Sequence, residues 1–173
     1  MIDRPESYSA IETLRDGRRV EIRALKPDDR SALESAIDRT SPHSLYRRFF
    51  AVKTTFSEAE AHYFVDIDFT KHVALVAVVG NGNGQAIVAG GRYVLIGSDA
   101  AEIAFTVIDA YQGQGLGTIL LRHLIAIARS AGLKQFVAEV LSENQPMLDV
   151  FEHCGVRMSA RSADNVTHVT LDL

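Results

Sequence analysis

The sequence predicts an α/β fold, and the stretch of residues 101–132 is the main reason for that prediction. Residues 101–108 alternate in polarity and are rich in Ile, Phe and Val, a pattern typical of a β-strand. From Leu116 onward apolar residues recur at helical spacing, and Gly132 follows them as a C-terminal cap. A glycine-dense loop, residues 112–117, joins the two segments. A strand that leads through such a loop into a long helix is a common unit of α/β folds.

Local patterns place the other elements in chain order. Asp16-Gly17 predicts a hairpin turn after a polar N-terminal segment, and residues 80–84 predict a second hairpin loop. Helices are predicted from Asp28 or Asp29 to about residue 39, over a short segment after Ser41-Pro42, over residues 58–65, from Leu116 to Gly132, and from Asn144 to Gly155. Strands are predicted over residues 11–15, 18–25, 73–79, 86–96, 101–108, 135–141, 157–161 and 166–173.

Length, charge and cysteine content exclude several classes of protein. A chain of 173 residues predicts one domain, which we place at residues 18–173, after an N-terminal extension and first hairpin strand at residues 1–17. The net charge of -4 argues against nucleic-acid binding and suits a basic protein partner. Cys154 is the one cysteine in the sequence, so no disulfide can form within the chain. With no apolar run of membrane-spanning length, we expect a cytoplasmic protein that does not bind membranes.

The glycine loop predicts an anion site, because its backbone N–H groups converge and the helix start adds partial positive charge. A nucleotide-binding Walker loop would need Lys and Ser or Thr after Gly115, where the chain has Leu116 and Gly117 instead. A dinucleotide fingerprint would need glycine at Thr118. The pattern Q-x-x-G-x-G does fit, at Gln112, Gly115 and Gly117. A helix-start turn without a ligand remains the alternative interpretation of the loop.

On this motif the chain resembles the GNAT superfamily of acetyl-CoA-dependent N-acetyltransferases, in which the loop cradles the pyrophosphate of coenzyme A. A second stretch carries the same resemblance, since Asn144 opens a helix that an aromatic-x-x-x-Gly sequence ends at Phe151 and Gly155. In the superfamily this helix flanks the pantetheine arm. Many members place a tyrosine near Phe151 as general acid, so the phenylalanine leaves that role unassigned in this chain.

More narrowly, the chain is similar to the catalytic domain of bacterial Pat-type protein lysine acetyltransferases over about residues 15–173. The similarity rests on residues 41–50, 72–77 and 101–107. It implies a mixed, strongly twisted central sheet with helices on both faces. It also implies that the strand around Phe105 and Val107 separates from its neighbour, so that free backbone N–H groups meet the pantetheine and the thioester oxygen.

The resemblance further implies which residues bind acetyl-CoA. Backbone N–H groups of Gln114, Gly115, Gly117 and Thr118 are expected to hold the pyrophosphate, with the side chain of Gln112 as an additional donor. The full set of expected cofactor-binding residues is Phe105, Val107, Gln112, Gly113, Gln114, Gly115, Leu116, Gly117, Thr118 and Asn144.

Glu102 is the candidate general base. A lysine amine has a pKa near 10.4, so its neutral form lies about 4.6 kcal/mol uphill at pH 7 and a base must remove a proton. On an alternating strand Glu102 shares a face with Ala104 and Thr106, while Ile103 and Phe105 face the other way. In the Pat-type enzymes the glutamate of this strand is the base, often through a water molecule. A solvent-exposed glutamate at the start of a strand is the alternative.

Other candidate residues are weaker. His72 lies where the family approaches its acceptor and is a candidate substrate contact, with a polar residue at a strand start as the alternative. The Arg47-Arg48 pair fits either a solvated helix face or a contact with an acidic partner or the cofactor phosphates. Cys154 could be a nucleophile, but the C-terminal end of a helix disfavours its thiolate. We expect no metal site, because the histidines show no paired ligand spacing.

The sequence therefore predicts an enzyme that transfers acetyl from acetyl-CoA directly to a primary amine, most simply the lysine ε-amine of protein targets. Two alternatives stay open. One is an acetyltransferase for a small amine such as a polyamine, antibiotic or amino acid. The other is a module that binds acyl-CoA without catalysis.

Overall fold

A single mixed sheet forms the centre of the computed structural model, which describes residues 2, 4–49, 57–81 and 84–173, the side chains of Phe49 and Asn81 excepted. Within these residues the strands follow the order β1-β2-β3-β4-β5-β6-β8-β7 across the sheet. Their bounds are β1 Ser9–Thr13, β2 Arg19–Ala24, β3 His72–Asn81, β4 Gly84–Leu95, β5 Ala100–Val107, β6 Gln135–Leu141, β7 Arg157–Ala163 and β8 Val166–Asp172.

Helices cover both faces of this sheet. In the described ranges they are α1 Arg30–Asp38, α2 Pro42–Phe49, α3 Glu58–Val65, α4 Leu116–Ser130 and α5 Gln145–Glu152. Short 3-10 turns are Pro5–Ser7, Pro27–Asp29 and Asp109–Tyr111. No helix in the described part of the chain has both the length and the apolar character needed to cross a membrane.

The pairing of the strands decides which side chains share a face, because directly paired residues on antiparallel strands point the same way. Glu102 pairs with Val94, which pairs with His72, so these three lie on one face. That face is covered by α1, α2 and α3, whose Leu33, Leu45 and Phe64 line a cavity with Ala104 and Thr106. The Glu102 face of β5 is therefore the face that these three helices cover.

The opposite face packs against α4 and α5. Phe105 lies on it, and its ring centroid is 6.1 Å from that of Phe151 in α5. The ring also covers Gly91, where an added Cβ would come within 2.7 Å of Phe105 and 3.1 Å of Leu124 in α4. Only a residue without a side chain fits at Gly91, and this lets α4 approach the sheet closely.

The pairing between β5 and β6 is short, and this opens the sheet. It is the parallel pair of the sheet, and its register runs from Ala100↔Gln135 through Ala101↔Phe136 to Glu102↔Val137. Beyond Glu102, β5 continues to Val107 while paired on its other edge with β4. The two strands therefore diverge, as the resemblance implied.

Most predicted elements agree with the structure, with ends that differ by a few residues. The helix predicted over residues 58–65 is α3, where Ser57 and Glu60 form a capping box and the Glu60 backbone N–H donates to Ser57 Oγ at 3.2 Å. Helix α1 begins at Arg30, because the predicted start at Asp28 or Asp29 falls in a 3-10 turn. The strand predicted at residues 11–15 lies two residues earlier, at Ser9–Thr13. In the loop predicted over residues 80–84, residues 82 and 83 lie outside the described part of the chain, as does residue 50 after α2.

Candidate functional site

A cleft of about 740 Å³ lies where β5 and β6 diverge. Its walls come from the free edge of β5, from Ala138 and Val140 of β6, from the glycine loop, from the start of α5 and from α2. A cleft of this size is within the range that holds a cofactor or drug-sized ligand. Of the expected site residues it is lined by Glu102, Phe105, Val107, Gln112, Gly113, Gly115, Leu116, Gly117, Thr118 and Asn144.

The glycine loop at one end of the cleft has the geometry of an anion site. Gly113 and Gly115 adopt φ values of +74° and +89°, which favour glycine over residues with a side chain. Helix α4 follows directly. Its first backbone hydrogen bond is donated by the N–H of Ile119 to the carbonyl oxygen of Gly115, at 3.0 Å. In the described residues the backbone N–H groups of 113–118 have no protein acceptor. Together with the positive end of α4, these donors suit a pyrophosphate.

Gly117 differs from Gly113 and Gly115, because close packing rather than a positive φ favours glycine there. An added Cβ would lie 3.2 Å from Val150 of α5, which is tighter than most Cβ contacts. The glycine thus lets α5 pack close to α4 and narrows the cleft between them.

Along β5 the cleft exposes backbone donors. The N–H of Ile108 donates to Val88 O at 3.0 Å, so the even-numbered backbone groups at this end of β5 point towards β4. Because these groups alternate along a strand, the N–H groups of Phe105 and Val107 point towards β6, beyond the last pair at Glu102 and Val137. There β6 has already diverged. Pantetheine amides and a thioester oxygen need donors of this kind.

The side chain of Gln112 has hydrogen-bond acceptors within the protein. Its Nε2 donates towards Val107 O at 3.2 Å, Ser44 Oγ at 3.1 Å and Asp109 Oδ1 at 3.3 Å. An amide nitrogen has two protons, so these acceptors already use its donors. Gln112 therefore ties the glycine loop to β5 and α2, and its donation to a pyrophosphate stays a prediction.

Glu102 lines the cleft with an exposed side chain. It is the last residue of β5 paired with β6, and it lies on the face under α1, α2 and α3. Arg48 of α2 is near enough for the Glu102 charge to act on it. Burial lowers the pKa of the Arg48 guanidinium, and the charge of Glu102 partly opposes that shift. The carboxylate thus lies on the helix-covered face where the strands diverge, next to a cation.

His72 does not line the cleft. It is buried, its ring is stacked on Tyr63 with centroids 5.1 Å apart, and its Nε2 lies 3.2 Å from Arg92 Nη1. Burial, together with the charge of Arg92, lowers the His72 pKa to about 4. A neutral His72 accepts the hydrogen bond from Arg92. The ring contacts described for His72 are thus with Arg92 and Tyr63. Its predicted contact with an acceptor stays a prediction.

The helix after β6 has the expected position, with one difference in its cap. Asn144 is the N-cap residue of α5, but its side chain makes no capping hydrogen bond and lines the cleft. Phe151 is 1% exposed and packs on Phe105, so this position holds a buried hydrocarbon ring and no proton donor. Cys154 follows the helix without lining the cleft.

Two arginines line the cleft although no sequence pattern assigns them to it. Arg15 is not a candidate from the sequence, and the sequence leaves the role of Arg47 open. Arg15, beside the β1–β2 turn, donates from Nη1 to Gly113 O at 3.2 Å, and its backbone N–H donates to Gln114 O at 3.3 Å. The hairpin signal predicted the turn, but no local pattern shows that the turn reaches the glycine loop. Arg47 of α2 lines the cleft, and its buried Nε makes no hydrogen bond in the described residues, although the exposed Glu143 carboxylate lies 4.0 Å from it. Among those residues no three His, Cys, Asp or Glu side chains form a potential metal site.

Comparisons with known proteins agree on one family. The profile of the acetyltransferase (GNAT) family matches residues 39–156. The chain is 34% identical over 160 residues to acetyltransferase PA5475 of Pseudomonas aeruginosa, covering 92% of this chain and 86% of that protein. It is 33% identical over 144 residues to acetyltransferase Pat of Mycolicibacterium smegmatis, covering 82% of this chain and 42% of that protein. The chain thus spans less than half of that Pat.

A solved structure extends the agreement to the fold. The GNAT domain of S. lividans PAT superposes with a TM-score of 0.87 at 36% identity, over 95% of this chain and 97% of that domain. The fold, the glycine loop, the diverging strands and these matches are consistent with one another. The chain therefore belongs to the GNAT family of acetyl-CoA-dependent N-acetyltransferases.

Proposed function

We propose that this protein transfers the acetyl group of acetyl-CoA directly to the lysine ε-amine of protein targets, with Glu102 as general base. One observation carries the proposal. The carboxylate of Glu102 stands on the same strand, and at the same opening of the sheet, as the free N–H groups of Phe105 and Val107. A base and donors for an oxyanion are the two groups that acyl transfer to an amine requires.

The cofactor site follows from the cleft. The N–H groups of residues 113–118 and the positive end of α4 would hold the pyrophosphate, and Arg15 and Arg47 would add positive charge beside it. The edge of β5 would pair with the pantetheine arm. Bound in this way, acetyl-CoA supplies a thioester as the acyl donor.

The chemistry then depends on two contributions of the chain. Glu102 takes the proton of the amine, directly or through a water, as the nitrogen bonds to the acetyl carbon. Backbone N–H groups near Val107 stabilise the negative charge that develops on the carbonyl oxygen. The carbon–sulfur bond then breaks. No general acid is required, because a thiol with a pKa near 8.5 leaves readily as the thiolate.

Support for a protein lysine as acceptor comes from the similarity to the proteins named Pat and PAT and from the resemblance to Pat-type lysine acetyltransferases. Direct transfer, without an acetyl-enzyme, is supported by the position of Cys154 outside the cleft. A small amine as acceptor, or cofactor binding without turnover, would use the same cleft. The acceptor must therefore be identified by experiment.

The test is acetyl-lysine mass spectrometry on a bacterial lysate incubated with acetyl-CoA and the protein, with Glu102→Gln in parallel. New acetyl-lysine sites with the unmodified protein alone are the expected result. If both proteins give the same sites, the acetylation is not catalysed at Glu102. If neither gives sites while amine-dependent release of coenzyme A is still observed, the acceptor is a small molecule and the lysine proposal is wrong.

A further inference from the structure

A second, smaller cavity of about 90 Å³ lies beside the cleft, under α1, α2 and α3. Arg48 of α2 and Arg92 of β4 both line it. It shares Arg48 and residues 104–106 of β5 with the larger cleft, so the two spaces adjoin along this part of β5. A cavity needs roughly 15 Å³ to hold one water, so this one has room for a group of several atoms.

Arg92 has no anionic partner in the described part of the chain. Its Nη1 lies 3.2 Å from His72 Nε2, its Nη2 donates to Phe64 O at 3.3 Å, and its guanidinium carbon lies 4.5 Å from the centroid of the Phe64 ring. These partners are an imidazole, a carbonyl and an aromatic face. Residues 50–56, which connect α2 and α3, read FAVKTTF and contain a lysine but no carboxylate.

The neighbours of Arg92 hold it in position and leave its charge uncompensated. Burial and the nearby positive charge of Arg48 lower the Arg92 pKa to about 10, so the guanidinium is still charged at pH 7. His72 has a pKa of about 4, so it is neutral at pH 7. It can accept a hydrogen bond from Arg92, but it has no negative charge to balance that of the guanidinium. Tyr63 stacks on His72. The backbone N–H of His72 donates to Asp68 Oδ1 at 2.9 Å.

A buried arginine on the same face shows what a purely structural one requires. Arg23 of β2 forms a bidentate pair with Asp29, at 2.7 Å and 2.8 Å. A desolvated cation without such a partner is costly, so proteins seldom keep one without a use. Arginine forks are the groups that recognise carboxylates and phosphates bidentately. The arrangement around Arg92 therefore resembles half of an ion pair whose other half is a ligand.

We propose that the acetyl acceptor carries a carboxylate close to its reacting amine, and that Arg92, with Arg48, binds this carboxylate in the small cavity. The register supports the spacing, since Arg92 pairs with Ala104 and is the diagonal neighbour of Glu102, roughly 7 Å away between Cα atoms. The amine would thus be at Glu102 and the carboxylate at Arg92. This inference rests on the proposed function in one respect, the use of Glu102 as the base.

Matched acceptors test the proposal without knowledge of the natural substrate. Nα-acetyl-lysine is compared with its amide, so that only the acceptor's own carboxylate changes. The peptide acetyl-Glu-Lys-amide is compared with acetyl-Gln-Lys-amide, so that only a neighbouring side chain changes. We expect kcat/KM to be higher by roughly tenfold or more for the carboxylate member of one pair. The pair that shows the difference identifies the kind of acceptor. A difference between Nα-acetyl-lysine and its amide indicates a small amino acid, and a difference between the two peptides indicates a lysine beside an acidic residue of a protein. Equal rates within both pairs would overturn the proposal.

A charge variant links the preference to the arginine. Arg92→Met removes the guanidinium but keeps an unbranched stem, and it should bring the ratio within the discriminating pair close to one. Arg92→Lys keeps the charge and should retain part of the preference. An unchanged ratio in folded Arg92→Met would contradict the assignment. If Arg92→Met does not fold, the ratio in Arg92→Lys and its loss at high salt decide.

Binding separates this inference from the proposed function. Calorimetry with the same two pairs, on protein saturated with a non-transferable acetyl-CoA analogue, needs no turnover. If no lysine compound is acetylated but one carboxylate member still binds about tenfold more tightly than its partner, the proposed function fails and the anion site stands. If acetylation proceeds and neither rate nor affinity distinguishes the members, the anion site fails and the proposed function stands.

Discussion

Glu102 and Val137 form the last pair that β5 shares with β6, and the sheet opens immediately beyond them. The candidate base is thus held by regular strand pairing on one side and borders the cleft on the other. Its backbone is fixed on both edges, since Glu102 also pairs with Val94 of β4. The carboxylate can therefore face an acceptor with little freedom in its main chain, which is the kind of preorganisation that catalytic groups need.

Replacing Glu102 by Gln should lower turnover by roughly 10²- to 10⁴-fold, the range expected when a general base is lost. The amide keeps the size of the side chain but cannot take the amine proton. Steady-state rates of coenzyme A release with a lysine acceptor give the comparison, and calorimetry with acetyl-CoA should show an unchanged Kd. A variant with normal turnover would remove Glu102 as the base.

Replacing Gly115 by Glu should weaken acetyl-CoA binding by roughly tenfold or more, because a carboxylate would enter the seat of the pyrophosphate. Gly132→Glu is the matched control. It places the same side chain at a similar positive φ of +82°, after the other end of α4 and in open space. Calorimetry on both variants separates the effect at the loop from backbone strain. Equal affinities in the two would contradict the phosphate-seat assignment.

Replacing Arg47 by Gln should raise the Kd for acetyl-CoA by about tenfold, since Arg47 lines the cleft and its buried Nε makes no hydrogen bond in the described residues, with the exposed Glu143 carboxylate 4.0 Å away. The salt dependence of binding should also become weaker, because one fewer cation meets the phosphates. Arg39→Gln is a suitable comparison, because Arg39 bonds the carbonyl groups of Ser35 and Ile87 and does not line the cleft. Titrations at two salt concentrations measure both effects.

Replacing Asp29 by Asn should destabilise the fold by roughly 3 kcal/mol, because the buried guanidinium of Arg23 would lose its charged partner. Asp16→Asn, at the exposed Asp16–Arg18 pair, should have little effect on unfolding. Urea unfolding followed by circular dichroism at pH 7 compares them. If both variants unfold with the same midpoint, the Arg23–Asp29 pair is not a main source of stability.

The same pair gives a pH dependence. Burial raises the Asp29 pKa, but the hydrogen bonds from Arg23 and from the Lys26 N–H outweigh it, and the net pKa is lowered. A lowered folded-state pKa means that the stabilisation is fully present above the unfolded value, near 3.9, and is lost as the pH falls through the folded value. The difference in stability between the protein and Asp29→Asn should therefore shrink as the pH falls below about 4.

The features predicted best from the sequence are those set by local chemistry. The glycine loop and α4 follow from glycine positions and helical spacing, and the turn predicted at Asp16-Gly17 has Gly17 at the positive φ, +86°, that glycine favours. The side-chain bonds of Gln112 could not be predicted, because they depend on where Ser44 of α2 lies.

The arginines show the same limit more clearly. Arg48 and Arg92 are 44 positions apart in the sequence, and they line one cavity only because α2 covers the face of the sheet on which Arg92 lies. Arg15 reaches the glycine loop across nearly a hundred residues of sequence. No pattern of period two or 3.6 encodes such contacts, so the sequence predicts the glycine loop that borders the cleft better than it predicts the cavity beside Arg92.

The short pairing between β5 and β6 has a mechanical consequence. Only three residue pairs in the described ladder connect β6, β8 and β7 with the rest of the sheet. A pantetheine arm in the gap would supply the missing hydrogen bonds and act as an inserted strand, joining the two halves of the sheet. Acetyl-CoA would then stabilise the sheet as well as serve as a substrate. Each release of coenzyme A would leave the two halves of the sheet free to move relative to each other.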